Sequence, residues 1–209
     1  MEINLLTVLS KNLSPTFDSL KSIIPGLMLL AITILVSCLI GNFAVKKWNG
    51  NNCKTKLGFS LISSIITIAL FCFYGLSAKT IQGIIFSQIL LVASYSDIKT
   101  RECDDYLSVM IIITSFIGVA ISAVPGMFIA AMFTAGIFLL VVLTISDGIG
   151  GADIKLASAS VFLLGFHRGI IGLILGLLIA IIANSIKSKK SGFPMLPYLT
   201  VAFIPAFFL

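Results

Sequence analysis

Charge is what this chain has least of. Only 11% of its 209 residues are Asp, Glu, Lys or Arg, against 58% hydrophobic, and the mean hydropathy is +1.15. So little polar surface cannot clothe a soluble domain of this length. Histidine is nearly absent: His167 stands alone, which excludes a His-built metal centre. The four cysteines, Cys38, Cys53, Cys72 and Cys103, have no CxxC spacing, and two lie inside apolar runs as small hydrophobes. Neither a disulfide framework nor a zinc site follows from them. The alternation of a transmembrane β-barrel is missing too. No basic stretch precedes the first residues, and the first long apolar run has the length of a span, so a cleavable signal is not expected.

What is present is a series of continuous apolar runs, most of them about as long as a helix needs to cross a bilayer. They fall at about 23–45, 57–75, 81–97, 106–124, 127–146, 153–166, 169–186 and 193–209. The expected fold is an all-α polytopic membrane protein of about eight transmembrane helices. Residues 1–22 read as a lead-in and 23–209 as a single transmembrane domain.

Counting basic residues gives the orientation. With the N-terminus outside, the inner loops hold Lys46, Lys47, Lys54, Lys56, Lys99, Arg101, Lys155, Lys187, Lys189 and Lys190. The outer side holds Lys11, Lys21, Lys79 and Arg168. Lys and Arg concentrate on the cytoplasmic side of membrane proteins, so N-terminus and C-terminus are both expected outside. The net charge of +6 is spread over these loops and calls for no nucleic acid.

Six of the eight acidic residues stand in two clusters: Asp97, Glu102, Asp104 and Asp105 in one, Asp147 and Asp153 in the other. Each cluster ends or begins an apolar run on the expected cytoplasmic side. Carboxylates at such depth are costly and point to function. Asp97 closes a helix, where its charge opposes the helix dipole. An interfacial ion pair with Lys99 or Arg101 is the plain structural alternative. Asp153 follows Gly148, Gly150 and Gly151, glycines that let backbone approach closely. It also stands where it can cap a helix. Asp147, in an Asp-Gly pair, is the rival second acid or a turn-former. Lys155, two residues past Asp153, is placed to hold or screen its charge. Phe193, Pro194 and Pro197 sit in a stretch that is either part of a groove or a stiff helix start.

Asp97-Ile98-Lys99 at the end of one span, then Gly148-Ile149-Gly150-Gly151-Ala152-Asp153-Ile154-Lys155-Leu156, resembles the type IV prepilin peptidases, intramembrane aspartic proteases of the GxGD class. The run Phe193-Pro194-Met195-Leu196-Pro197 is similar to the family's proline-bearing stretch, and Ile40-Gly41-Asn42-Phe43 to its glycine-asparagine stretch. Ala152 replaces the usual glycine, and Cys103-Asp104-Asp105 stands where the family often has Ile-Pro followed by Asn or Asp. Lys46 to Lys56 replaces the cysteine-bearing cytoplasmic domain of larger members, so the resemblance is to a compact form without that domain.

The resemblance implies an aspartic endopeptidase in the cell membrane, multi-pass, with its active site facing the cytoplasm. Asp97 and Asp153 would be catalytic, supported by Gly148, Gly150, Gly151, Lys155 and Lys99. Phe193, Pro194 and Pro197 would line the substrate. The partners are a prepilin or pseudopilin with a basic leader and an apolar helix, and the lipid bilayer. No metal or other cofactor is expected. A proton-coupled transporter and a non-catalytic secretion-system membrane subunit are the competing classes; the first needs polar residues deeper in the spans.

Overall fold

The structure, a computed structural model, describes residues 24, 26–36, 39–40, 43, 46, 53–101, 103–117, 126–145, 151–187 and 194–209. Among these there is no strand. The helices are α1 (Gly26–Val36), α2 (Cys53–Tyr74), α3 (Ala78–Thr100), α4 (Asp105–Ser115), α5 (Gly126–Ile145), α6 (Gly151–Leu164), α7 (Phe166–Lys187) and α8 (Leu196–Ala206).

Eight helices stand on the eight apolar runs, and their lengths differ. Three are long and apolar enough to cross a membrane: Leu57–Tyr74, Ala78–Thr100 and Phe166–Ile186. The apolar stretches Gly26–Val36, Asp105–Ser115, Phe128–Val141 and Leu196–Ala206 are shorter. The eleven residues of α4, like those of α8, cover roughly 16 Å, about half of a hydrocarbon core. α8 is short because Pro194 and Met195 stay outside the helix, which starts only at Leu196.

α3 is the hub. Its span is 61% buried within the protein, against 22% for α2 and 28% for α7. It packs on α2, α4 and α8. α6 packs on α4, α5, α7 and α8, so α4 and α8 each touch both α3 and α6. Phe86 and Leu90 of α3, Leu156 of α6, and Leu196, Leu199 and Phe203 of α8 are closed off from the surface. The outward faces stay apolar, as at Ile65, Phe73 and Ile182.

Lipid tails are as oily as Leu, so burial alone does not hold such helices together. Close fit and cross-helix hydrogen bonds do. The hydroxyls of Ser94 and Thr200 bond at 2.6 Å, joining α3 to α8. Gln88 of α3 donates to the Ser63 hydroxyl of α2. Tyr74 donates to the carbonyl of Phe207 at 2.8 Å. α7 presents Gly172 to Phe203 and Ala206, and Gly176 to Leu199 and Ala202. A Cβ on Gly176 would lie 2.8 Å from Leu199 Cδ2 and 3.1 Å from its Cα, so the missing side chain is what lets α8 lie this close. The α6–α7 turn passes through Gly165 at φ +82, a left-handed conformation that glycine adopts at no steric cost. These contacts fix where the first residue of α8 sits, and that residue reaches the candidate site.

Candidate active site

Asp97 lies in the last turn of α3 and is 5% exposed. The helix stops four residues later at Arg101, whose φ of 57 and ψ of 26 are left-handed and whose N–H bonds back to the Asp97 carbonyl at 3.0 Å. A non-glycine residue there costs about 1 kcal/mol, and the sharp stop turns the chain into Cys103 and Asp104. Arg101 also brings its positive charge into the neighbourhood of the Asp97 carboxylate.

The first residues of α8 complete the surroundings of Asp97. Leu196 donates its N–H to Asp97 Oδ2 at 2.9 Å, and the Met195 backbone is directed at the same carboxylate. The first N–H groups of a helix have no partner within it. Pro197, in the first turn, has no N–H to satisfy, a position where proline is well tolerated. Asp97 therefore serves as a cap from another helix, since Met195 makes no side-chain cap bond. The carboxylate at the unfavourable end of its own dipole sits at the favourable end of another.

Asp153 is half-buried in the first turn of α6, which opens at Gly151. It lies inside that turn and not at the capping position the sequence allowed, still at the end where the dipole favours negative charge. The space around Gly151 is open.

Cys103, half-buried between α3 and α4, connects the two acids. Burial, followed by the negative charges of Asp153, Asp97, Asp104 and Asp105 in that order, pushes its thiol up to about 12. The ranking puts Asp153 and Asp97, from helices that do not pack on each other, within electrostatic reach of one sulfur. Sequence reading treated Cys103 only as a departure from the usual proline. Its position between Asp97 and Asp105 was the available signal.

The supporting residues divide. Lys155 pairs with Asp105 at 2.7 Å, with side chains 58% and 66% exposed, a bond worth up to about 1 kcal/mol. Lys99 is exposed in the last turn of α3. Pro194 and Pro197 are half-buried and flank the two residues that face Asp97. Asp147, Gly148, Gly150, Glu102 and Phe193 lie outside the described residues, as do Gly41 and Asn42. His167 is exposed in the first turn of α7, edge-on to the Phe166 ring. Among the described residues no group of three or more His, Cys, Asp and Glu side chains is placed to hold a metal ion.

Residues 84–185 match the model of the type IV leader peptidase family. The matched stretch contains Asp97, Cys103 and Asp153 and ends before α8. No curated protein and no solved structure matches the chain.

Proposed function

We propose that this chain, whose residues 84–185 match the type IV leader peptidase family, is an aspartic endopeptidase that uses Asp97 and Asp153 to activate water. The observation that carries this reading is that Asp97, buried and held by the Leu196 N–H, and Asp153, in the first turn of α6, both exert their charge on Cys103. In a chain with eight acidic residues, two carboxylates from different helices acting on one thiol are costly to assemble. Dyad chemistry needs that arrangement.

Two neighbouring carboxylates share one proton, because both do not ionise easily at close range. The ionised member takes a proton from the water between them as its oxygen attacks the scissile carbonyl carbon. The protonated member gives its proton to the carbonyl oxygen. Collapse of the tetrahedral intermediate breaks the C–N bond as the proton held by the first carboxylate goes to the leaving nitrogen, and a hydroxyl of the intermediate returns its proton to the second carboxylate as C=O re-forms. The Leu196 N–H engages Oδ2 of Asp97 and fixes how the carboxylate faces the water. Preorganisation comes from α8, which holds Asp97 in one orientation.

The substrate under this reading is a prepilin-like or pseudopilin protein. Its basic leader stays at the cytoplasmic face and its apolar helix lies in the bilayer against residues 23–209, acting as one membrane-embedded domain. The excess of Lys and Arg on the inner loops supports that orientation. The glycines at 148–151 admit the leader, and Pro194 and Pro197 border it from the α8 side. Co-expression with prepilins of the same genome tests the assignment. The mature mass appears with the wild-type chain only; an unprocessed product from every candidate that carries a basic leader and apolar helix contradicts it.

A further inference from the structure

At the end of the helices remote from both aspartates lies a cavity of about 170 Å³ that leader cleavage does not use. Lys79 and Arg168 line it, together with Tyr74, Phe128, Phe162 and Phe207. Lys79 stands in the first turn of α3 and Asp97 in the last, roughly 27 Å apart along the helix. Arg168 stands in the first turn of α7.

Both cations are badly placed on their own helices. The N-terminal end of a helix carries partial positive charge and disfavours Lys and Arg. The charge count also assigns them to the sparse outer side, with four of the fourteen basic residues against ten on the inner loops. Six of the eight acidic residues belong to the opposite clusters, Glu2 and Asp18 lie outside the described residues, and no carboxylate lines the cavity. Two cations brought to one cavity against both biases require an anion.

The walls define what kind of anion. Apart from the cations, Gln82 and Ser115, the lining is aromatic and aliphatic, and includes Leu163 and Leu164. The Lys79 ammonium stands 5.9 Å above the Tyr74 ring, and the Tyr74 hydroxyl is already given to the Phe207 carbonyl. Gln82 is committed to the carbonyls of Thr114 and Ser115. Two cations together with a largely hydrocarbon lining fit an amphiphile. An Arg fork grips a phosphate through two parallel bonds and Lys adds a point charge. Basic pockets between membrane helices bind anionic headgroups at the cytoplasmic face through this same pairing of charge with apolar wall, and the pairing does not depend on which face carries it.

We propose that the cavity between Lys79 and Arg168 binds the phosphate of an anionic phospholipid, with an acyl chain along the Phe128–Phe162 wall. The lipid ties the start of α3 to the start of α7, two of the three span-length helices.

The test uses the full chain in detergent, with phosphatidylglycerol, phosphatidylcholine or inorganic phosphate added. Native mass spectrometry counts bound lipid and thermal unfolding reads stabilisation. The wild type is expected to keep about one phosphatidylglycerol, with a Tm rise of roughly 5–10 °C near saturation. Phosphatidylcholine binds more weakly and inorganic phosphate gives no rise. The double variant Lys79→Gln with Arg168→Gln loses the lipid and the shift. Its far-UV helix content stays, and the charge-keeping pair Lys79→Arg with Arg168→Lys retains the lipid. Equal lipid retention by wild type and the Gln pair overturns the proposal. So does equal binding of the two lipids, or a rise with inorganic phosphate as large as with phosphatidylglycerol, which assigns the cavity to a free anion.

Discussion

Leu196 gives its backbone N–H to Asp97 Oδ2 at 2.9 Å, across 99 positions of chain. This bond joins the end of α3 to the start of α8 and holds the carboxylate in place. It predicts different outcomes for two substitutions. Asp97→Asn keeps a side-chain oxygen as acceptor and leaves α8 seated, with Tm near wild type. Asp97→Ala strands a buried N–H, which costs about 1–3 kcal/mol, or roughly 2–12 °C in Tm for a chain of this size. Equal Tm for Asn and Ala contradicts the role given to this bond.

Cys103 reports on both acids at once. A thiol pushed up to about 12 is almost wholly protonated at pH 8 and alkylates slowly, since only the thiolate reacts. In a variant with Cys38, Cys53 and Cys72 changed to Ser, iodoacetamide labelling of the folded protein is expected to be at least about 100-fold slower than in denaturant. Asp153→Asn removes the largest charge acting on the sulfur and speeds labelling. An unchanged rate places Asp153 away from Cys103. The same shift has a sign for stability. The folded thiol holds its proton more tightly than an ordinary thiol near 9.0. Its contribution is therefore complete below pH 9 and lost as pH rises towards 12.

The close approach of α7 and α8 predicts that Gly176→Ala is costly. The new Cβ meets the Cα of Leu199 at 3.1 Å, and backbone cannot swing aside as a side chain can. Overpacking of this kind costs about 1–3 kcal/mol. The displaced α8 carries Leu196 with it, so cleavage should fall along with Tm. Gly58→Ala is the control, because its Cβ meets nothing within 4 Å. In a helix that change is neutral or stabilising by up to about 1 kcal/mol.

Lys155→Gln removes an exposed ion pair with Asp105. Its expected effect on stability is under about 1 kcal/mol, and guanidinium or thermal unfolding checks it. A larger loss gives Lys155 a structural role that its 58% exposure does not suggest.

Hydropathy made the elements legible, because each helix must present an apolar surface to lipid or to its neighbours. The expected 57–75 and 169–186 segments lie on Cys53–Tyr74 and Phe166–Lys187, and both key aspartates sit at helix ends as read. Helix ends set by a single residue were not legible. Arg101 stops α3 in a left-handed conformation usually left to glycine, and Pro194 delays α8. Partners were not legible either. Nothing local to Asp97 names Leu196 as its donor, and nothing local to Cys103 places Asp153 beside it. The sequence offered a choice for the proline stretch between groove and stiff helix start. The described part of that stretch stands at the start of α8, with the Leu196 N–H turned to Asp97, and its role as a groove belongs to the proposed function.

The most direct measurement of the central claim is leader removal, followed by mass, with purified wild type, Asp97→Asn and Asp153→Asn and one processed prepilin. The account predicts that each Asn variant keeps its helix content and Tm while cleavage falls by at least about 1000-fold. Wild-type cleavage by either Asn variant contradicts the assignment of Asp97 and Asp153 as the pair that activates water.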